Sequence, residues 1–103
     1  TVLPDPGNIM FVPNTFTPNG DNVNDYFFVY GYNFTMISRM EVYDRWGELV
    51  FSAENVLPGD VTKGWDGTFN GQPVNNGVYA YIVQVQFETG QKTSSYGNVT
   101  LIR

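Results

Sequence analysis

From residue 78 to residue 87 the side chains sort onto two faces, with Tyr79, Tyr81, Val83, Val85 and Phe87 on one and Ala80, Gln84 and Gln86 on the other. Successive side chains of a strand point to opposite faces, whereas a helix would scatter these residues around its circumference. Ile82 alone is apolar on the polar side. The segment therefore reads as a strand with one wetted face, whose aromatic and β-branched face needs a second layer to cover it. Glu88-Thr89-Gly90-Gln91 supplies a turn, and residues 92–102 return as the partner, with Val99 and Leu101 alternating against Asn98 and Thr100.

The same signals recur upstream. Residues 37–43 and 49–51 flank Asp44-Arg45-Trp46-Gly47, where an aspartate can bond its own backbone and a glycine can take positive φ, so a second hairpin is expected. Residues 9–12 and 26–30 are shorter strand candidates, and residues 67–69 before Asn70-Gly71 are a small edge strand. No stretch keeps a helical period for three turns. About seven short strands punctuated by Gly, Pro, Asn and Asp predict an all-β, immunoglobulin-like antiparallel sandwich with Greek-key connections. Strand order does not follow from this pattern.

At 103 residues the chain has room for one such domain, burying roughly two thirds of its unfolded surface. Its core draws on 8 Phe, 7 Tyr and 2 Trp rather than on its 3 Met, which favours bulky, rigid packing. Ten acidic against five basic side chains give a net charge of −5, which repels nucleic acid and anionic lipid alike. No apolar run is long enough to span a membrane, so direct membrane insertion is not expected, and the domain is expected to be a monomer. Residues 1–8, with two prolines and a glycine, read as a linker leaving an upstream domain; residues 9–103 form the folded unit. The absence of His and Cys removes the usual general base, thiol nucleophile and imidazole ligands, and catalysis is not expected.

Three segments are candidates for chemistry or recognition. In Phe16-Thr17-Pro18-Asn19-Gly20-Asp21-Asn22-Val23-Asn24-Asp25, the side-chain oxygens of Asn19, Asp21, Asn24 and Asp25 could surround a calcium ion, which takes six to eight oxygen ligands. The competing reading, with more weight, is a set of Asx turns that stiffen a long loop. Trp65-Asp66-Gly67 could offer a flat indole to a sugar ring, although such a tryptophan more often plugs the end of a sandwich. Arg45 could meet a carboxylate on a partner, or fold over a neighbouring aromatic ring or pair with Asp44.

Taken in order, five blocks carry a resemblance: Val12-Pro13-Asn14-Thr15-Phe16-Thr17-Pro18-Asn19-Gly20-Asp21-Asn22-Val23-Asn24-Asp25-Tyr26-Phe27; Tyr43-Asp44-Arg45-Trp46-Gly47 with Val50-Phe51; Trp65-Asp66-Gly67-Thr68; Asn76-Gly77-Val78-Tyr79-Ala80-Tyr81; and Gly97-Asn98-Val99-Thr100-Leu101-Ile102-Arg103. Together they resemble the gliding motility-associated C-terminal domain of Bacteroidetes proteins, the type B C-terminal domain of type IX secretion system substrates. Asn22 stands where that family commonly has glycine, a change that asparagine, tolerant of positive φ, absorbs.

The resemblance implies a targeting module. A passenger upstream, of the large cell-surface adhesin kind, would reach the periplasm through an N-terminal signal and cross the outer membrane to the cell surface or medium. The implied partners are translocon components and an outer-membrane barrel of the PorP/SprF type. The final strand is expected to run to the end of the chain, so that a receptor could read a rigid surface with the terminal carboxylate or pair with an exposed strand edge. Thr17, Asn19, Asp21, Asn24, Asp25, Arg45, Trp46 and Arg103 are the expected partner-binding residues. Apart from calcium in the opening loop, no cofactor is expected. The alternative is a carbohydrate-binding or adhesive module that grips a surface polysaccharide through Trp65, Trp46 and exposed tyrosines; a third reading is a structural cap or spacer.

Overall fold

The computed structural model describes residues 9–21 and 25–103. The expected linker at residues 1–8 lies outside them, as does Asn24. Among the described residues the chain forms nine strands: β1 (Ile9–Phe11), β2 (Thr15–Phe16), β3 (Tyr30–Tyr32), β4 (Phe34–Tyr43), β5 (Leu49–Val56), β6 (Thr68–Phe69), β7 (Gln72–Pro73), β8 (Gly77–Phe87) and β9 (Lys92–Leu101). A 3₁₀ turn occupies Val61–Lys63. Two strands more than the expected seven appear because β2 and β7 are two-residue pieces too short for periodicity to register, while β6 falls within the small edge strand expected at residues 67–69.

Alternation works as expected in β8. Tyr79, Tyr81, Val83, Val85 and Phe87 are all buried, and the residues between them face outward. The turn after it closes through Phe87 N–H donating to Gln91 O (2.8 Å) and Gly90 N–H to Phe87 O (2.8 Å). β4 lies on the other flank of β8, with Met40 opposite Val83 and Val42 opposite Tyr81, and two register shifts let its ten residues follow the sheet's twist. β5 pairs with the outer side of β4 and runs to Val56, five residues past the expected end.

These strands make one five-stranded sheet in the order β2-β9-β8-β4-β5. Its pairings are antiparallel except at one edge, where β2 lies parallel to β9 with Thr15 opposite Thr100 and Phe16 opposite Leu101. That parallel pair departs from the purely antiparallel expectation; two residues from near the start of the folded unit reach the last strand across almost the whole sequence.

Facing the inner side of this sheet is a less regular layer. It contains the two-stranded ribbons β1-β3 and β6-β7 and a bridge between Phe27 and Trp65. Residues 26–30 do not form the expected strand: Phe27, Phe28 and Val29 are buried consecutively, which a strand with one wetted face cannot accommodate, and only Tyr30 enters β3. Ile82, the exception on the polar face, stands between Glu41 and Tyr96 on the outer side of the sheet and is half-buried.

Candidate recognition surface

Strand register gathers four connections at one end of the sheet. Tyr43 lies opposite Ala80 and Leu49, and Gly77 and Phe16 lie opposite Leu101. The opening loop after Phe16, the turn between β4 and β5, the segment entering β8 and the residues following Leu101 therefore emerge side by side. Three of the four contain residues expected to bind a partner.

Beneath them is an aromatic stack. Trp65, fully buried, packs against Phe16 (ring centroids 5.3 Å apart) and Tyr79 (5.0 Å, edge-on), and Phe27 joins Phe16 (6.2 Å) to Tyr81 (5.3 Å). Tilted and edge-on contacts of this kind add about 0.5–1.5 kcal/mol each beyond area burial. The indole N–H donates to Thr68 O (2.9 Å), while Asp66 Oδ1 accepts from Thr68 N–H (3.1 Å) and Oγ1–H (2.6 Å). Trp65-Asp66-Gly67-Thr68 is thus a turn that closes over its own tryptophan. A sugar cannot reach that ring, which removes Trp65 from the carbohydrate reading.

Gly67 sits where the loops converge. Its φ is +82°, and a Cβ there would lie 2.9 Å from Pro18 Cγ and 3.1 Å from Leu101 Cδ1. Around it the Arg103 guanidinium donates to Gly67 O (2.8 Å) and Val74 O (2.9 Å) through Nη2 and to Pro18 O (3.3 Å) through Nη1. Arg103 therefore ties the opening loop and the Asp66-Gly67 turn to the segment that enters β8. Its guanidinium is occupied by carbonyls of its own chain, where the sequence reading had it facing a partner.

The opening loop holds its shape through aspartate and asparagine oxygens. Asp25 Oδ1 accepts the backbone N–H groups of Asn19 (3.2 Å) and Gly20 (3.1 Å), Asn19 Oδ1 accepts that of Asp21 (3.2 Å), and Asn19 N–H donates to Thr17 O (2.8 Å). The Asn19 bond to Asp21 is an Asx turn of the kind that the sequence predicts, whereas Asp25 reaches back five and six residues to brace the loop. Among the described residues no group of three or more acidic side chains gathers that could hold a metal ion. Asn24, the fourth suggested ligand, lies outside the described residues.

At the β4–β5 turn, Asp44 Oδ1 accepts from both Trp46 N–H and Glu48 N–H (2.9 Å each), and the backbone closes through Gly47 N–H to Asp44 O (3.0 Å) and Asp44 N–H to Glu48 O (2.9 Å). The turn is rigid, yet its apex is bare: Trp46 is 83% exposed, with the Arg45 guanidinium carbon 5.6 Å from its ring centroid. Arg45 folds over the aromatic ring, the local arrangement that the sequence reading set beside partner binding. A cleft of about 330 Å³ opens between this turn and the segment entering β8, with Arg45, Glu48, Val50, Val74, Asn76 and Tyr79 in its walls. Tyr79 O–H donates to Asn75 O (2.6 Å), and burial, helped by the nearby Asp44 carboxylate, raises its hydroxyl pKa.

Val74, Asn76 and Glu48 were not named from sequence as binding residues, although Asn76 opens one of the five blocks, since their place in the cleft depends on how two connections pack. A polar network on the outer face was also missed: Arg39 donates through Nε (2.9 Å) and Nη2 to Glu41 Oε1, and Tyr43 O–H donates to the same oxygen (2.9 Å). The signal for it was present in the spacing, because residues 39, 41 and 43 share one face of a strand. The hydrogen bond from Arg39 holds the Glu41 carboxyl below its usual pKa.

Fold and geometry define an all-β module of sandwich type that gathers its loops, an arginine clamp and an exposed tryptophan at one end. The sequence matches the family model of the CHU_C type IX secretion signal domain over residues 10–101, and the chain belongs to that family. It is accordingly a secretion-targeting domain that engages the type IX machinery and directs export across the outer membrane. No curated protein matches the sequence.

Proposed function

We propose that this domain acts without catalysis, as a folded address that the type IX translocon and an outer-membrane barrel of the PorP/SprF type recognise by shape. Its passenger is a large surface adhesin, brought through the periplasm and delivered to the cell surface or medium. The recognised surface comprises the opening loop with Thr17, Asn19, Asp21, Asn24 and Asp25, the Arg45-Trp46 turn, and the residues after Leu101, held by Arg103.

The observation that carries this reading is Trp46. A large apolar ring stands 83% exposed on a turn that Asp44 has already made rigid, with an arginine against it. Tryptophan and arginine dominate interface hot spots, and a preorganised turn loses little entropy on docking. The opening loop supports it, being held in one shape by Asp25 at the same end of the sheet.

Export of a reporter fused to the chain tests the reading. Trp46→Ala, Arg45→Ala, Asp21→Ala and Asp25→Ala, each checked for native melting, are expected to leave reporter in the periplasm, Trp46→Ala most strongly. Wild-type export by all four would sink it.

A further inference from the structure

We propose that the free edge of β5 is where an extended, basic strand of the type IX outer-membrane partner adds to the sheet. This deepens the targeting reading above and rests on it.

β5 ends the five-stranded order, so its outer row of backbone N–H and C=O groups has no hydrogen-bonded strand beside it among the described residues. β6 packs near it without pairing. Exposed edges invite strand addition, and proteins usually blunt them with lysine, proline, bulges or short length. β5 carries a bulge at Val50, where Val42 pairs with Phe51 and Tyr43 with Leu49, and a left-handed Asn55 (φ +54°), but no other such device. It is eight residues long, and Leu49-Val50-Phe51-Ser52-Ala53-Glu54 contains no Pro, Gly or Lys. The opposite edge is guarded differently: β2 covers Thr100 and Leu101 of β9, while the uncovered part of β9 opens with Lys92 and contains Gly97.

Charge chooses the occupant. Glu48 and Glu54 flank the exposed run of β5, both exposed, with Asp44 beside them. Of the two nearby cations, Arg39 is taken up by Glu41 and Arg45 lies over Trp46. The edge is thus acidic on a chain of net charge −5, which opposes pairing with a second copy of itself and favours a strand bearing Lys or Arg. In strand addition, main-chain hydrogen bonds supply affinity and alternate side-chain positions supply specificity. Here Val50 and Glu48 in the cleft wall offer one such position, and Trp46 stands where the added strand enters.

The test combines amide exchange with export. With the purified tagged outer-membrane barrel added to the 103-residue chain, alternate amides of β5 are expected to slow by roughly tenfold or more, with those of Lys92 to Asn98 unchanged. Glu48→Gln with Glu54→Gln, which removes the charge without setting a lysine opposite Arg39, is expected to abolish this protection and reduce reporter export by roughly tenfold while the melting temperature stays put. Unaltered β5 exchange in the complex, protection confined to β9, or sedimentation showing that β5 protection arises from dimers of the chain would overturn the edge assignment and leave targeting standing. A wild-type fusion that is not exported would instead overturn the targeting reading, and the edge proposal with it.

Discussion

Replacing Gly67 by alanine probes the point where the loops converge. The added Cβ meets two penalties there. An L-residue in the left-handed region costs about 1–2 kcal/mol. The contact with Pro18 Cγ, at 2.9 Å against an ordinary carbon separation of about 3.5–4.0 Å, adds an overpacking penalty of about 1–3 kcal/mol. Gly90 provides the control, since its φ of +87° is nearly the same but nothing lies within 4 Å of its would-be Cβ. Gly90→Ala should therefore lose only the conformational part, and Gly67→Ala about 1–3 kcal/mol more. Urea unfolding followed by the fluorescence of buried Trp65 reads the difference. With a slope of about 1.5 kcal/mol/M, the Gly67→Ala midpoint should fall below that of Gly90→Ala by about 0.7–2 M. Pro18→Ala in the Gly67→Ala background should recover part of the loss, because the two residues share the clash. Equal midpoints for the two glycine variants would refute the claim that close approach, rather than backbone sign alone, requires glycine at residue 67.

Arg103→Ala should lower stability by about 1 kcal/mol, with Arg103→Lys recovering less than half, because a lysine lacks the fork that reaches Gly67 O, Val74 O and Pro18 O together; urea midpoints of the two variants check this. Glu41→Gln should be less stable than wild type at neutral pH. Because the folded Glu41 pKa is depressed by Arg39, the difference should be complete above the unfolded value of about 4.3 and shrink as pH falls through the lower folded one, as urea midpoints over an acid series would show. Melting with calcium or with chelator should agree within about 1 °C; a site filled a hundredfold above its Kd would raise stability by about 2.7 kcal/mol, and a rise of that size would assign an ion to the opening loop.

The β8–β9 hairpin was legible because alternation over residues 78–87 and a glycine-bearing turn point to one geometry, and the β4–β5 hairpin because its Asp44-Arg45-Trp46-Gly47 turn marks a reversal between apolar segments. The burial of Trp65 was legible for a related reason, since Asp-Gly beside a large aromatic marks a chain reversal at the end of a sheet. The β2–β9 pairing was not legible, because a two-residue parallel contact between distant segments has no periodicity. Residues 27–29 misled through their apolar content, which suits a strand but here fills the core consecutively. The partners of Arg103 are backbone carbonyls, which every residue possesses, so no side-chain pattern could announce them. The Asx turn of Asn19 in the opening loop lies at the other extreme, because asparagine bonds to the backbone two residues away.

The parallel contact of Phe16 with Leu101 governs the order in which the domain can be completed. A chain emerging amino end first, from a ribosome or from a channel, presents Phe16 well before Leu101, so this edge of the sheet stays open until nearly all of the folded unit is out. Closing so long a loop carries an entropy penalty that grows only slowly with length, and the final step is thus limited by arrival of the last strand rather than by the search for it. Until then Phe16 lacks its place beside β9, and the aromatic stack beneath the loops is incomplete. A chain halted short of Thr100 would keep most of both hairpins and lose the join between β2 and β9.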